Sequence, residues 1–314
     1  MKKANEVLES ISSLEPAAIT LKKRVLKKAE LIELIREQRS EGRQDLAFNS
    51  RPFVLCGLPL KRPKANELSH RRMNGRYVLE VVGHPRYGLP FGRDRLIPIW
   101  IATLALRQNS QTVHFRAASE LLREFDLPTD GRSYRRLMEG FQRIFASTIF
   151  FGTEEQLEKA AVWEMHRFHY FDDLRLWYSR NPAQQSLNGG PFDNVIKLSE
   201  PFWQELKLHP IPVDRNVVKA LSNSPGTLDF YMWLTWRCWT AKSPSSISLF
   251  GPEGLSSQLG FNPKRDRKKR EMVRIWLNQV RDFWPECPAE LDESGDVLMI
   301  QHGKAILPAA HQLL

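Results

Sequence analysis

A chain of 314 residues, 42% of them hydrophobic, has room for two domains with cores of their own. Forty-six Lys and Arg against 36 Asp and Glu leave a formal charge of +10, which favours an anionic partner. Three cysteines, Cys56, Cys238 and Cys287, lack C-x-x-C spacing and histidines at zinc-like intervals, so neither a disulfide framework nor a structural zinc is expected, and a reducing cytoplasm fits.

Residues 1–47 are charged and helix-prone, with Leu21, Val25, Leu26, Ala29, Ile32 and Ile35 as an apolar stripe that suits packing on the body or a partner. No long apolar block follows Lys2 and Lys3, so no signal peptide is expected, and no run approaches the roughly 20 residues of a membrane helix. Residues 48–85 mix Pro, Gly and short apolar runs. Lys61-Arg62-Pro63-Lys64 and His70-Arg71-Arg72 suggest a basic loop, either solvated or touching phosphate, and Tyr77 to Val82 a strand.

From Gly88 the punctuation becomes regular. A turn at 88–92 leads into a helix from Arg95 to Gln108, with Leu96, Ile99, Trp100 and Leu104 inward and Pro98 in its first turn. A short strand, Thr112 to Phe115, a short helix, Ala117 to Phe125, and an amphipathic helix, Ser133 to Ala146, follow. Tyr134, Leu137, Phe141 and Ile144 mark the inner face of the last, with Arg132, Arg135, Arg136 and Arg143 off it. The β-prone runs Thr148 to Gly152 and Val162 to Tyr170 would make a β wing. Asn181 to Gly190 reads as a surface loop, and Asp193 to Leu208 as a strand and short helix.

The same order returns after Pro212. A helix capped near Ser224-Pro225 runs through Leu228 to Trp239. A β-prone Ile247 to Phe250 and a two-turn helix between Pro252 and Gly260 come next. The basic helix Arg265 to Trp284 follows, with Val273, Trp276, Leu277 and Val280 on one face. A hairpin over 289–300 closes the unit, turning at Glu293-Ser294-Gly295-Asp296. Trp100 aligns near Trp233, Leu121 near Leu255, Leu127-Pro128 near Asn262-Pro263, and Leu137-Phe141-Ile144 near Val273-Leu277-Val280, an internal repeat of roughly 130 residues. The fold expected is α+β: a helical extension over 1–80, then two winged-helix domains over 81–208 and 209–314.

The chemistry on offer is that of DNA binding. Lys264, Arg265, Arg267, Lys268, Lys269, Arg270, Arg274 and Arg281 face only Asp266 and Glu271, a local +6 where a recognition helix begins. In the first unit Arg132, Arg135, Arg136 and Arg143 against Glu139 give +3. Trp100, Trp233 and Trp276 fall on apolar faces and are assigned to the core, whereas Trp163 and Trp177 remain open to base stacking. No G-x-x-x-x-G-K-[ST] loop occurs, so ATP hydrolysis is not expected. His166 and His169 lie in a β-prone run without a nearby Cys, and Asp172-Asp173 fits a strand-end turn, so no metal site, cofactor or catalytic group is assigned.

Two runs resemble a known family. Tyr87-Gly88-Leu89-Pro90-Phe91-Gly92-Arg93 leading into Leu96 to Thr103, and Pro212-Val213-Asp214 through Ser224-Pro225 to Thr235, resemble plasmid-encoded RepA replication initiators over about residues 85–285. The resemblance implies two winged-helix domains in a bacterial cytoplasmic protein. It implies binding to direct repeats in a plasmid origin, help in opening the duplex, recruitment of host replication proteins, and copy control through a monomer-dimer equilibrium. A helix-turn-helix repressor and a primase- or relaxase-like enzyme are the alternatives. A monomer spanning two successive major grooves is expected, against a division of labour in which one unit dimerises through the surface from Trp163 to Tyr170.

Overall fold

The computed structural model describes residues 16–156, 160–176, 194–261 and 263–307. The expectations for Trp177, Asn262 and the loop at 181–190 concern positions outside these residues. In chain order the described elements begin with helix α1 (Pro16–Ser40), strand β1 (Leu46–Ser50), helix α2 (Arg51–Leu55), and strands β2 (Ser69–Asn74) and β3 (Tyr77–Val82). A 3-10 turn, Gly92–Arg95, leads into α3 (Leu96–Gln108), β4 (Thr112–Phe115), α4 (Ser119–Glu124) and α5 (Gly131–Phe145). Next come β5 (Thr148–Gln156), β6 (Ala161–His169), β7 (Phe171–Arg175), β8 (Asn194–Leu198), α6 (Glu200–Leu208), β9 (Pro210–Asp214) and α7 (Arg215–Leu221). The chain continues through α8 (Pro225–Thr240), β10 (Ser245–Ser248), α9 (Leu255–Gln258), α10 (Asp266–Phe283), β11 (Ala289–Leu291) and β12 (Val297–Ile300). Helices and antiparallel sheets are mixed, an α+β fold.

The repeat is visible in the connectivity. Helix, strand, short helix and long helix follow one another as α3-β4-α4-α5 and again as α8-β10-α9-α10. In each case the lone strand then joins the edge of a three-stranded sheet, β4-β8-β7 in the first unit and β10-β12-β11 in the second. Local chemistry starts the long helices: Asp130 caps α5 by accepting from the Ser133 amide at 2.7 Å, and Pro225 opens α8, where a missing amide costs no hydrogen bond.

The runs expected to make a β wing, Thr148 to Gly152 and Val162 to Tyr170, pair with each other. They form the hairpin β5-β6, which extends β2-β3 into a four-stranded sheet, with Val81 opposite Ile149 and Phe151 opposite His166. The strands in the position of the second unit's closing hairpin are β7 and β8, with Val113 opposite Ile196. Strand β3 stands where Tyr77 to Val82 was expected, whereas His70-Arg71-Arg72, expected in a loop, lies in β2, with His70 buried and its Nε2 2.9 Å from the Gly57 carbonyl.

The cores merge. Trp100, Trp233 and Trp276 are all buried, Trp276 edge-on to Phe261 at 4.7 Å and Trp233 donating from its indole to Gln258 Oε1 at 3.1 Å. Strand β1 pairs antiparallel with β9, Leu46 opposite Asp214, so the N-terminal segment is stitched to the second unit. Among the described side chains of α1, Leu26 is exposed, Ile35 is buried, and Arg39 stacks over Trp284 at 5.5 Å while donating to the Lys304 carbonyl at 2.7 Å; Leu21 and Val25 of the expected stripe lie outside the described side chains.

A buried joint ties the units together. Arg95, ahead of α3, donates to Asp229 Oδ2 on α8 at 2.7 Å and to the carbonyls of Gly92, Leu58 and Pro59 at 2.9–3.1 Å. Gly57 is required beside it, because a side-chain carbon there would stand 2.4 Å from Asp229 Oδ2. Arg215 on α7 binds Glu124 at the end of α4 and Asp45.

Two buried groups couple stability to pH in opposite senses. Burial, with the Arg72 charge, pulls His70 from 6.5 down to about 4, so the folded state binds fewer protons than the unfolded chain across that interval. His70 therefore contributes stability that is present above pH 6.5 and lost as pH falls toward 4. Burial pushes Asp229 up from 3.8 to about 7 despite Arg95 beside it, so its contribution is fullest below 3.8 and is lost as pH rises through about 7. Replacing His70 with Gln keeps the Gly57 contact and removes the first limb. The stability difference between native protein and H70Q should therefore grow by roughly 2–3 kcal/mol between pH 4.5 and pH 7, measured by urea melts. A constant difference would mean that His70 is not titrating in this environment.

Candidate nucleic-acid interface

Helix α10 builds the more basic of two surfaces. Val273, Trp276, Leu277, Val280 and Phe283 are its buried side, at the helical period. On the opposite side stand Arg267, Glu271, Arg274, Ile275 and Asn278, all exposed. Lys264 and Arg265 project just before the first turn, both exposed. Lys268 is exposed and pairs with Glu271 at 3.2 Å, a surface contact of little energetic weight.

Two members of the basic run are committed elsewhere. The Arg270 guanidinium donates to Asp296 Oδ1 at 2.5 Å and lies 5.3 Å from the Phe250 ring, tying the helix to the turn between β11 and β12. Lys269 leans on the same ring at 5.3 Å and pairs with Asp266 at 3.5 Å. No ion pair involves Lys264, Arg265, Arg267 or Arg274 among the described residues, so these four cations are available to an anion.

Counting charge alone misses two residues. Ile275, an apolar side chain 46% exposed amid charge, and Asn278 share the outward strip with Arg267 and Arg274. A guanidinium, a branched alkyl group and a carboxamide on one exposed helix face match, respectively, guanine, a thymine methyl and adenine in a major groove. The signal was in the sequence: positions 267, 274, 275 and 278 lie opposite Trp276 and Val280 on a helical projection.

Helix α5 carries the second surface. Arg132, Arg135 and Arg136 are exposed as expected, with Glu139 and Gln142 among them. Arg143 is a correction: it is buried, and it clasps Asp94 through Nε–Oδ2 at 2.7 Å and Nη2–Oδ1 at 3.0 Å. Its guanidinium also sits 4.7 Å from the Phe91 ring. The approach depends on Gly140, where a side-chain carbon would stand 2.7 Å from Asp94 Oδ1. Arg143 is therefore a packing residue of the first unit and not a phosphate contact.

Other candidates separate cleanly. Trp163 is 69% exposed on β6, at the edge of the four-stranded sheet. His166 lies 3.5 Å from Glu164, and His169 Nδ1 lies 3.0 Å from the Ser147 carbonyl. No group of three or more His, Cys, Asp or Glu side chains is placed to hold a metal among the described residues, and no described helix is long and apolar enough to cross a membrane.

Comparison with known proteins bears on this architecture. The crystal structure of domains 2 and 3 of RctB shares the fold at a TM-score of 0.50 and 11% identity, covering 73% of this chain and 85% of that one. A second structure of RctB domains 2-3 aligns at 12% identity with a TM-score of 0.48, over 77% of this chain and 92% of that one. No curated protein sequence matches. A family model does match, over residues 119–246, from the start of α4 into β10. That model is described as plasmid encoded RepA protein, and over this stretch the chain is similar to that family.

Proposed function

We propose that the chain initiates plasmid replication by gripping repeated origin sequences as duplex DNA, with α10 as the main reading helix and α5 as the second. The observation that carries the reading is the outward strip of α10, where Arg267, Arg274, Ile275 and Asn278 are exposed together and neither arginine is spent on a protein carboxylate. The duplicated order of helix, strand, helix, helix and closing sheet supports two winged-helix units, each presenting its long third helix to a groove. In this reading the protein works by binding, opening the duplex through its grip and delivering host replication proteins, with no reaction of its own. Trp163, exposed at a sheet edge, is the surface on which a monomer-dimer equilibrium would turn.

Hydroxyl-radical footprinting on the cognate replicon tests the reading. Protection of several direct repeats, with a one-to-one complex covering two successive major grooves, is the expected outcome. A single protected palindrome would favour a repressor instead. Protection of one groove per protomer would overturn the two-helix grip.

Salt titration supplies an independent count. The exposed cations of the two helices, Lys264, Arg265, Arg267, Lys268 and Arg274 with Arg132, Arg135 and Arg136, set the number of phosphates that can be neutralised, since Arg143, Lys269 and Arg270 are engaged within the protein. At a slope of about 0.9 per phosphate, log affinity for duplex should fall with log salt by roughly 5 to 7. A slope near 2 would reduce the interface to one small patch.

A further inference from the structure

Beside α5 lies a cleft that shares Arg136 with the proposed duplex surface and has an apolar floor that a phosphate backbone leaves unfilled. It encloses about 490 Å³ between the 3-10 turn, α4, the turn after it and α5. Leu122, Leu127 and Leu137 contribute to its floor, and Arg62, Arg93 and Arg136 stand around its mouth. The Asp94–Arg143 pair closes one wall and is electrically satisfied within itself. One further carboxylate, Glu139, leans toward Arg143 at 3.9 Å, so the rim keeps a net positive charge.

The three rim arginines are exposed, and none forms an ion pair among the described residues. Arg93 donates to the neutral Asn223 carboxamide, and partial burial, with the Arg136 charge adding to it, lowers its pKa from the usual guanidinium value. Three guanidinium groups lining one cavity, against Glu139 as the one carboxylate outside the Asp94–Arg143 pair, leave an attraction for negative charge unmet. The leucine floor asks for something different, a compact apolar group that displaces water. A duplex offers phosphate on a convex, polar surface and cannot fill a recessed leucine floor. A peptide can satisfy both demands, with carboxylates outside and one large apolar side chain within.

We propose that this cleft is a docking pocket for an acidic segment of a partner protein that inserts a Leu- or Phe-sized side chain between α4 and α5. The proposal deepens the partner-recruiting half of the function argued above and rests on that half; it does not need the DNA-binding half. It also gives Arg62 a role that its place in a basic stretch left open.

The test uses the full chain and an array of fluorescein-labelled twelve-residue peptides, each with four Asp or Glu around a central Leu, Phe or Ala, read by fluorescence polarisation. The Leu or Phe peptides should bind at least tenfold more tightly than their Ala counterparts. Arg93→Glu and Arg62→Glu, both at exposed positions, should each weaken that binding at least tenfold while origin-duplex affinity stays within threefold. If no peptide binds, or if the Ala peptides bind equally well, the pocket is not a docking site for an apolar anchor and the proposal falls. If duplex competes with peptide and both variants lose duplex binding in step, the cleft is a phosphate site and the proposal falls as well. Peptide binding in a protein that protects no origin DNA would leave the cleft standing and remove the initiator reading.

Discussion

Replacing Arg267 and Arg274 together with Ala should weaken binding to the origin repeat by on the order of a hundredfold or more, while leaving thermal stability nearly unchanged. Both side chains are exposed and make no ion pair among the described residues, so their loss removes nothing from the folded protein beyond helix-surface contacts. Each bidentate arginine-guanine pair is worth about 1–3 kcal/mol of discrimination, and two such pairs set the scale. The informative comparison is Arg270→Ala. That side chain holds Asp296 and the Phe250 ring, so its removal should lower the melting temperature and loosen the hairpin, with less than a tenfold effect on DNA measured well below the melt. Arg132→Ala with Arg136→Ala should cost less than the α10 pair and should weaken random and cognate duplex alike, as loss of phosphate contacts does. Electrophoretic mobility shifts with cognate and scrambled duplexes separate these outcomes. Should Arg270→Ala prove the most damaging variant for specific binding at full folding, α10 meets the groove by its rim and not by the strip through Ile275 and Asn278.

The helices of both units were legible because each carries its own pattern. The inner faces of α5 and α10 repeat apolar residues at the helical period and Pro225 marks where α8 begins, whereas α5 begins at Gly131 behind its Asp130 cap, two residues ahead of the expected Ser133. Strand partners were not legible in the same way. Nothing within Thr148 to Gly152 says whether its neighbour is β4, a little upstream, or β3, more than sixty residues back, since alternation fixes which face is buried and leaves the pairing open. Charge was legible as a total and misleading as a partition. Arg143 and Arg270 look like their neighbours in sequence, yet one answers Asp94 and the other Asp296, both remote from the helix turn in which they sit. A local hint existed for Arg143: Gly140, three residues before it on the same face, marks a close approach that an exposed helix face has no need of.

Breaking the Arg95–Asp229 pair should be the most destabilising polar substitution in the molecule. The two side chains are 4% and 3% exposed, Arg95 spends its remaining donors on the carbonyls of Gly92, Leu58 and Pro59, and the pair bridges the start of α3 and the second turn of α8. Removing one partner leaves the other charge buried without compensation, which costs about 3–5 kcal/mol, a large share of the 5–15 kcal/mol that holds a typical domain together. Asp229→Ala should therefore lose about that much in urea unfolding at pH 5, and less at pH 7, where burial has begun to take back the contribution of Asp229. Arg95→Met with Asp229→Leu, which removes both charges and keeps apolar volume, should recover most of the loss. The consequence for function follows from position. The joint links the segment ahead of α3 to α8, and Arg215 bound to Glu124 links α7 to α4, so in the proposed reading the two contacts together set α5 against α10. A protein that grips two grooves with two rigidly related helices loses more when the joint loosens than either helix loses alone. Asp229→Ala, assayed at a temperature where it remains folded, should keep its affinity for a duplex carrying a half-length site while losing the added affinity of the full repeat. Equal affinities of native and variant protein for the full repeat would show that the two units bind DNA independently, and the rigid two-helix grip would have to be given up.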